Sequence, residues 1–277
     1  MNRAIAALHG RFGRACLYSQ SRSMATHAHR EGHLIFYLDG QLPTFRVGAR
    51  TCVGDARTAI AVNPFEPHDV SYRRDDADCL LLLLYIDPGW FLEIGHGDEA
   101  ALRFGRVDIE VTPPLGALVE GVTELLAGGG GEAPPCFDER LHALTAACHE
   151  GSWRQGGARR ATVSPGDAVH DHRVGKSLRL LRQSVGGERS LDAIAREVGL
   201  SRPHFFKLFR ENVGVTPNVY LNTVRTERAI ERLVGTEQAV TSIGLDLGFA
   251  SQASFTRFFG ANAGIPPTDY RRVAQRV

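Results

Sequence analysis

Hydrophobic residues in the first half of the chain come in short runs set about ten residues apart. His33–Leu38 and Phe45–Val47 are divided by Asp39, Gly40 and a proline; Arg50–Val53 precedes Gly54 and Asp55. Thr58–Val62 leads into Asn63-Pro64-Phe65-Glu66-Pro67, and Val70–Tyr72 is followed by the apolar run Cys79–Ile86. Short β-prone runs closed by Gly, Pro and Asp turns predict a β-barrel or sandwich. Cys79–Ile86 is far too short to cross a bilayer and reads as a buried strand spanning Leu80–Ile86. The period then lengthens. Leu118, Val122 and Leu125 mark one face of a helix over Leu115–Leu126, and Leu141, Leu144 and Cys148 mark one over Asp138–Glu150. The glycine-rich stretch Gly128–Pro135 divides them.

The last third contains one helical pattern twice. Phe209, Asn212, Gly214, Pro217 and Tyr220 return as Phe259, Asn262, Gly264, Pro267 and Tyr270 at an offset of 50. Ile194 and Gly199 return as Ile243 and Gly248 at an offset of 49. The second copy therefore carries one extra residue between its glycine and its next helix. In each copy a short helix ends near a glycine, where a left-handed backbone costs that residue nothing. Ser201 and Ser251 then stand ready to cap a second helix, and Pro203 is tolerated in its first turn. Phe205, Leu208 and Phe209, and later Phe255, Phe258 and Phe259, form an i, i+3, i+4 stripe. Ala195 and Gly244 are small where the two helices of each unit cross.

Helix, glycine turn, capped helix is the helix-turn-helix layout, whose second helix enters the DNA major groove. The apolar stripes set the phase and leave the opposite faces free. These carry Arg202, Pro203, Phe206, Lys207 and Arg210 in the first unit, and Gln252, Ala253, Thr256 and Arg257 in the second. Gln252 has amide geometry suited to adenine, and Arg257 the bidentate fork suited to guanine or a phosphate.

The segment from about Val174 to Arg272 resembles the DNA-binding domain of the AraC/XylS family of transcription regulators. The resemblance rests on LDAIAREVGLS, FKLFRENVGVTPNVYL, the spacing of Arg225, Ala229 and Leu233, LGFASQASFTRFF and GIPPTDYR. It implies two helix-turn-helix units held by one linker helix, roughly Asn218–Val234, reading successive major-groove faces about 10 bp apart. It further implies DNA contacts from the nine residues above, a homodimer formed through the 115–150 helices, and activation of transcription through RNA polymerase. Two departures stand out. Phe206 replaces a usual polar residue, and Gly260 stands where the family commonly has Lys or Arg.

Charge divides the chain in the same place. From residue 171 onward there are 16 basic and 10 acidic residues; before it, 16 basic and 21 acidic, an asymmetry hidden by the net charge of +1. A basic C-terminal part suits phosphate binding, and an acidic front part serves another purpose. The 43% hydrophobic and 23% charged residues are those of a soluble globular protein. The N-terminal apolar stretch, Ala4–Leu8, is too short for a secretory signal. Five scattered cysteines without a C-x-x-C argue against a disulfide framework and for a cytoplasmic setting. No Walker loop, dinucleotide fingerprint or nucleophile elbow is present, and an enzyme is not expected.

The front domain also holds a histidine set. His27, His29, His33 and Gly40 resemble the first motif of the cupin superfamily, with His33 in place of the usual Glu. Gly54, Asp55, Pro64 and His68 resemble the second, one residue off in spacing and lacking a glycine. In metal-binding cupins such positions ligate iron or manganese. Sensor domains of the AraC type share the barrel, usually without metal, so His27, His29, His33 and His68 are assigned to an organic-effector pocket, with no metal or cofactor expected; metal ligation and purely structural histidines are the alternatives. Alternation places His27, His29 and His33 on one side of a single strand, with His68 arriving from a neighbour.

The expected architecture is α+β in two domains, an N-terminal cupin-like β-barrel with trailing helices and a C-terminal all-α double helix-turn-helix domain. The boundaries are a tail over 1–20, the effector-sensing barrel over 21–110, helices for dimerisation over 111–152, a linker over 153–171 and the DNA-binding domain over 172–277. The expected function is an effector-responsive regulator binding double-stranded DNA, with no membrane partner. The alternative is a metal-dependent cupin enzyme carrying a DNA-binding domain.

Overall fold

The computed structural model describes residues 2–94, 102–128, 136–154 and 171–276. The Gly128–Pro135 loop, beyond its first residue, and most of the 153–171 linker lie outside the described residues. Among the described residues, eleven strands run in chain order as β1 (Arg3–Gly10), β2 (Gly13–Gln20), β3 (Met24–His27), β4 (Gly32–Gly40), β5 (Thr44–Val47), β6 (Arg50–Val53), β7 (Thr58–Val62), β8 (His68–Ser71), β9 (Cys79–Ile86), β10 (Asp108–Glu110) and β11 (Ala274–Arg276). They form a seven-stranded sheet, β10-β7-β4-β9-β2-β1-β11, and a four-stranded sheet, β3-β8-β5-β6.

Alternation along the large sheet explains why β9 is apolar at nearly every position. Leu82, Leu84 and Ile86 point to one face with Ala15, Leu17, Leu34 and Phe36. There they meet α1 (Pro88–Ile94), α2 (Pro113–Gly128) and α3 (Phe137–Arg154) through Trp90, Val122, Leu141 and Leu144. Leu81, Leu83 and Tyr85 point to the other face with Cys16, Tyr18 and Ile35, toward the small sheet and the C-terminal helices. Both sides of β9 are therefore core, as expected of a central strand covered on two faces. The helices foreseen over 115–126 and 138–150 are present and slightly longer. Their buried residues pack on each other and on the large sheet.

Residues 3–20 are not a tail. They form the β1–β2 hairpin, and β2 pairs with β9 along its whole length, from Gly13 opposite Ile86 to Gln20 opposite Cys79. The alanines and glycines of this stretch give little hydrophobic contrast, yet Phe12, Ala15 and Cys16 are fully buried.

The C-terminal helices are α4 (His172–Gln183), α5 (Leu191–Glu197), α6 (Arg202–Val213), α7 (Pro217–Gly235), α8 (Val240–Asp246), α9 (Gln252–Ala263) and α10 (Pro267–Val273). The repeated residues have repeated jobs. Phe205, Phe209, Phe255 and Phe259 are fully buried. Asn212 Nδ2 donates to the Leu208 carbonyl at 2.9 Å, and Asn262 Nδ2 to that of Phe258 at 2.8 Å. Gly214 and Gly264 close α6 and α9 at φ 83° and 82°, the left-handed region that favours glycine. Pro217 and Pro267 open the helices that follow. Ser251 caps α9 through a reciprocal box with Ser254. Ser201 occupies the equivalent place with extended backbone, but its side chain makes no capping bond.

A Cβ on Gly244 would lie 2.8 Å from that of Phe255, which explains the small residue where α8 meets α9. The second unit returns to the front domain. β11 runs parallel to β1, with Ala274 opposite Ala7 and Gln275 opposite Leu8. No helix among the described residues is long and apolar enough to cross a membrane.

Candidate nucleic-acid interface and effector site

The free faces of α6 and α9 are where the stripes require them. Arg202, Pro203, Lys207 and Arg210 are exposed, as are Gln252, Ala253 and Arg257, while Thr256 is half-buried. Some of these groups have partners. Arg202 Nη1 donates to Asp192 at 2.5 Å, Lys207 Nζ lies 3.9 Å from Glu211, and Gln252 Oε1 accepts from Thr241 at 2.8 Å. These are surface contacts that water or a phosphate replaces at little cost. Phe206 is half-buried, edge-on to Phe205 at 5.9 Å and beneath the Arg202 guanidinium at 5.2 Å. Its ring therefore packs against its own unit while still reaching the surface. Gly260 has no neighbour nearer than 4.0 Å to a Cβ built on it, so nothing in the packing demands glycine there.

The four histidines come together, though not on one strand. His27 ends β3, His29 lies in the loop after it, His33 is the second residue of β4 and His68 begins β8 opposite His27. All four are buried. Ring centroids are 4.3 Å apart for His27 and His68, 4.9 Å for His29 and His68, and 4.9 Å for His29 and His33. Tyr85 of β9 closes one side, stacked on His33 at 4.1 Å.

Each imidazole is held by the same device. Nδ1 lies 2.9 Å from a carbonyl two residues away in His27 (Ala25), His29 (Glu31) and His68 (Glu66), and 3.0 Å from that of Leu84 in His33. A carbonyl accepts only, so each Nδ1 carries the proton and each Nε2 keeps its lone pair. Burial, reinforced at His29 by His68 and Arg14, lowers the pKa of all four rings and keeps them neutral. Nε2 of His29 and of His68 is buried without a hydrogen-bond partner. The space between the sheets here is about 20 Å³, lined by His27, His33, His68 and Tyr85 among others.

Residues that the sequence did not single out join this chamber to the C-terminal domain. Thr223 Oγ1 of α7 donates to the Ala28 carbonyl, between His27 and His29, at 2.7 Å. Phe65 N–H donates to the His29 carbonyl at 2.8 Å, and its ring stacks on Tyr220 at 5.9 Å. Tyr270, the counterpart of Tyr220, lies 3.0 Å from Nε2 of His9 on β1. Both matched tyrosines thus face the front domain. Arg14 is buried with its guanidinium 3.7 Å over Tyr85 and 4.0 Å from Glu31. A cleft of about 630 Å³ opens between the domains, with Arg14, Arg30, Glu31, Glu227 and Glu231 in its wall. Burial and Glu31 raise the Glu227 carboxyl to about 7. An arginine on β2, on the same face as Cys16 and Tyr18, was the available signal for this junction.

Two helix-turn-helix units on one linker helix, docked on a two-sheet domain, define a DNA-binding class of architecture. Residues 194–273 match the family model described as a helix-turn-helix domain, and the C-terminal part of this chain is such a domain, of the AraC type. An HTH-type transcriptional regulator of Mycobacterium tuberculosis is 32% identical over 91 residues, covering 33% of this chain and 35% of the relative. The regulatory protein PocR of Salmonella typhimurium is 30% identical over 107 residues, covering 39% and 35%. The matched stretch is thus about a third of the length of these relatives. The crystal structure of ToxT from Vibrio cholerae aligns over 94% of this chain and 96% of that one, at TM-score 0.55 and 13% identity. Another ToxT structure, with an unsaturated fatty acid bound, aligns at TM-score 0.55 and 12% identity. The shared two-domain fold therefore extends through the sheet-rich domain as well.

Proposed function

We propose that this protein is a sequence-specific DNA-binding transcription regulator that responds to a small effector held in its sheet-rich domain. The observation that carries the reading is the pair of buried aromatic stripes, which turn Arg202, Pro203, Lys207 and Arg210, and Gln252, Ala253 and Arg257, away from the core and leave half-buried Phe206 and Thr256 at its edge. α7 joins the two units, so its position governs how both helices meet successive turns of a duplex. In this reading Arg257 and Gln252 read bases, and Lys207 and Arg210 hold phosphates. The regulators matched by sequence support it, as does a relative of the same fold crystallised with a small ligand.

The effector site is His27, His29, His33 and His68. In this chamber Nε2 of His29 and of His68 are buried without hydrogen-bond partners, and it abuts α7 through Ala28 and Phe65. An effector that binds one arrangement of this junction better than another shifts the DNA-binding units between two states. In this reading half-buried Leu118 and Leu125 of α2 form the apolar strip through which two copies pair, and RNA polymerase in the cytoplasm is the activation partner.

The test is selection of bound duplexes from a randomised library by the full-length chain, followed by fluorescence anisotropy on the selected site. A defined site of two half-elements about one helical turn apart supports the reading. Absence of any sequence preference overturns it.

A further inference from the structure

We propose that the histidine chamber binds a divalent first-row transition metal ion through Nε2 of His29, His33 and His68. This rests on the reading of these histidines as the effector site and names the chemical class of the effector.

Three features lead to it. The first is convergence: one ring nitrogen from each of His29, His33 and His68 lies within 4.8 Å of the other two, and all three residues are buried. The second is tautomer. Backbone carbonyls take the Nδ1 proton of each ring, which is the outer-shell arrangement that orients imidazole toward a metal. The third is the missing partner. Nε2 of His29 and of His68 is buried with nothing to bond, although a buried lone pair facing other lone pairs is costly. A cation satisfies them together.

The free space beside His33 and His68 suits an ion. About 20 Å³ holds one water or one ion, whereas a drug-sized organic ligand needs several hundred cubic ångströms. Neutral imidazoles without thiolate favour zinc, iron(II), cobalt or nickel over calcium or magnesium, which prefer oxygen. Tyr85 and His27 flank the three ligands, and Glu31 Oε2, 3.8 Å from Nδ1 of His29, supplies negative charge to the second shell.

Binding requires a small closure. Bonds of 2.0–2.1 Å in tetrahedral geometry bring ligand nitrogens to about 3.3 Å from one another. The rings must therefore close in by up to about 1.5 Å, and the loop bearing His29 moves with them. That loop carries the Ala28 carbonyl gripped by Thr223 and the His29 carbonyl gripped by Phe65, so the closure is delivered to α7.

The experiment uses the full-length chain, stripped with chelator and titrated with cobalt(II) without DNA. The expected result is one equivalent bound, with visible d–d absorption that zinc displaces. The His29→Gln, His68→Gln double variant is expected to weaken binding by about a hundredfold or more. X-ray absorption at the zinc edge of the wild-type protein counts the imidazole ligands, independently of whether the variant folds. Three imidazoles support the site. No binding up to millimolar cobalt, fewer than three imidazoles, or full affinity in a folded double variant overturns it. DNA affinity with and without zinc is read separately on the selected duplex. No DNA binding at all refutes the regulator reading and leaves the ion site standing. An unchanged DNA affinity on saturation refutes the ion as effector.

Discussion

Thr223 and Ala28 are 195 residues apart in sequence and joined by a hydrogen bond of 2.7 Å, from a hydroxyl on the linker helix to a carbonyl between two chamber histidines. Thr223 also bonds the Val219 carbonyl within its own helix at 3.1 Å. Its rotamer is thus fixed in the direction of the front domain. Thr223→Val, which keeps nearly the same shape, is expected to lose about 0.5–1.5 kcal/mol of stability. It should also flatten any effector response while leaving both helix-turn-helix units folded. Chemical denaturation measures the first effect, and anisotropy with and without effector the second. An unaltered response would show that this bond does not carry the signal.

The two turn glycines give a matched pair. Gly199 and Gly248 have φ of 72° and 82°. A Cβ on Gly199 meets nothing within 4 Å, whereas one on Gly248 would lie 2.3 Å from the Gly186 carbonyl oxygen. Gly199→Ala should cost about 1–2 kcal/mol, the ordinary penalty of a left-handed residue. Gly248→Ala should cost clearly more, because backbone must also move. Equal midpoints in urea would contradict the close approach.

Gly260 sits inside α9 with open space around it. Gly260→Lys is expected to stabilise the chain by up to about 1 kcal/mol through helix propensity. It should also tighten DNA binding and steepen the log–log salt slope by about 0.9, the share of one added phosphate contact. Anisotropy at several salt concentrations reads both. A more stable variant with an unchanged slope would place this face of α9 away from DNA.

Arg257→Ala and Gln252→Ala are each expected to cost about 1–3 kcal/mol on the selected duplex and to relax its preference at one position. Arg210→Ala should weaken all duplexes alike. Competition with single-position mismatches separates these outcomes.

Glu227 sets a pH dependence. Its carboxyl, raised from 4.5 to about 7 by burial and by Glu31, binds a proton more tightly in the folded chain than in the unfolded one. Its contribution to stability is therefore complete below about 4.5 and is lost as pH rises through about 7. Arg14, Arg30 and Glu231 also face it. The four buried histidines act in the opposite sense, since their lowered pKa values favour the folded state above the ordinary imidazole range and oppose it in acid. Comparison with Glu227→Gln cancels the histidine part. The wild-type Tm should fall relative to the variant between pH 5 and 8; a constant difference would count against the buried proton.

The reading units were legible because duplication repeats their constraints. Phe209, Gly214 and Pro217 recur as Phe259, Gly264 and Pro267, each with a physical requirement recognisable from spacing alone. The strands from His33 to Ile86 showed through their turns. The β1–β2 hairpin was hidden because alanines, glycines and an arginine fill positions whose burial comes from β9, a partner distant in sequence. For the same reason His27, His29 and His33 seemed to share one strand; the loop between β3 and β4 in fact turns their rings toward a common point. Arg14, Thr223 and Glu227 gain meaning only from the docking of α7. No local pattern announces a contact between residues 28 and 223.

The short parallel pairing of β11 with β1 has a consequence for motion. It ties the far end of the second reading unit to the rim of the large sheet by main-chain bonds, while α7 is tethered at the histidine loop by side chains. Swinging that unit outward means unzipping three residues at one border as well as slipping a threonine at another. Two modest latches in series favour an all-or-none release over a graded one, and a sensor that must open both at once responds over a narrow range of signal.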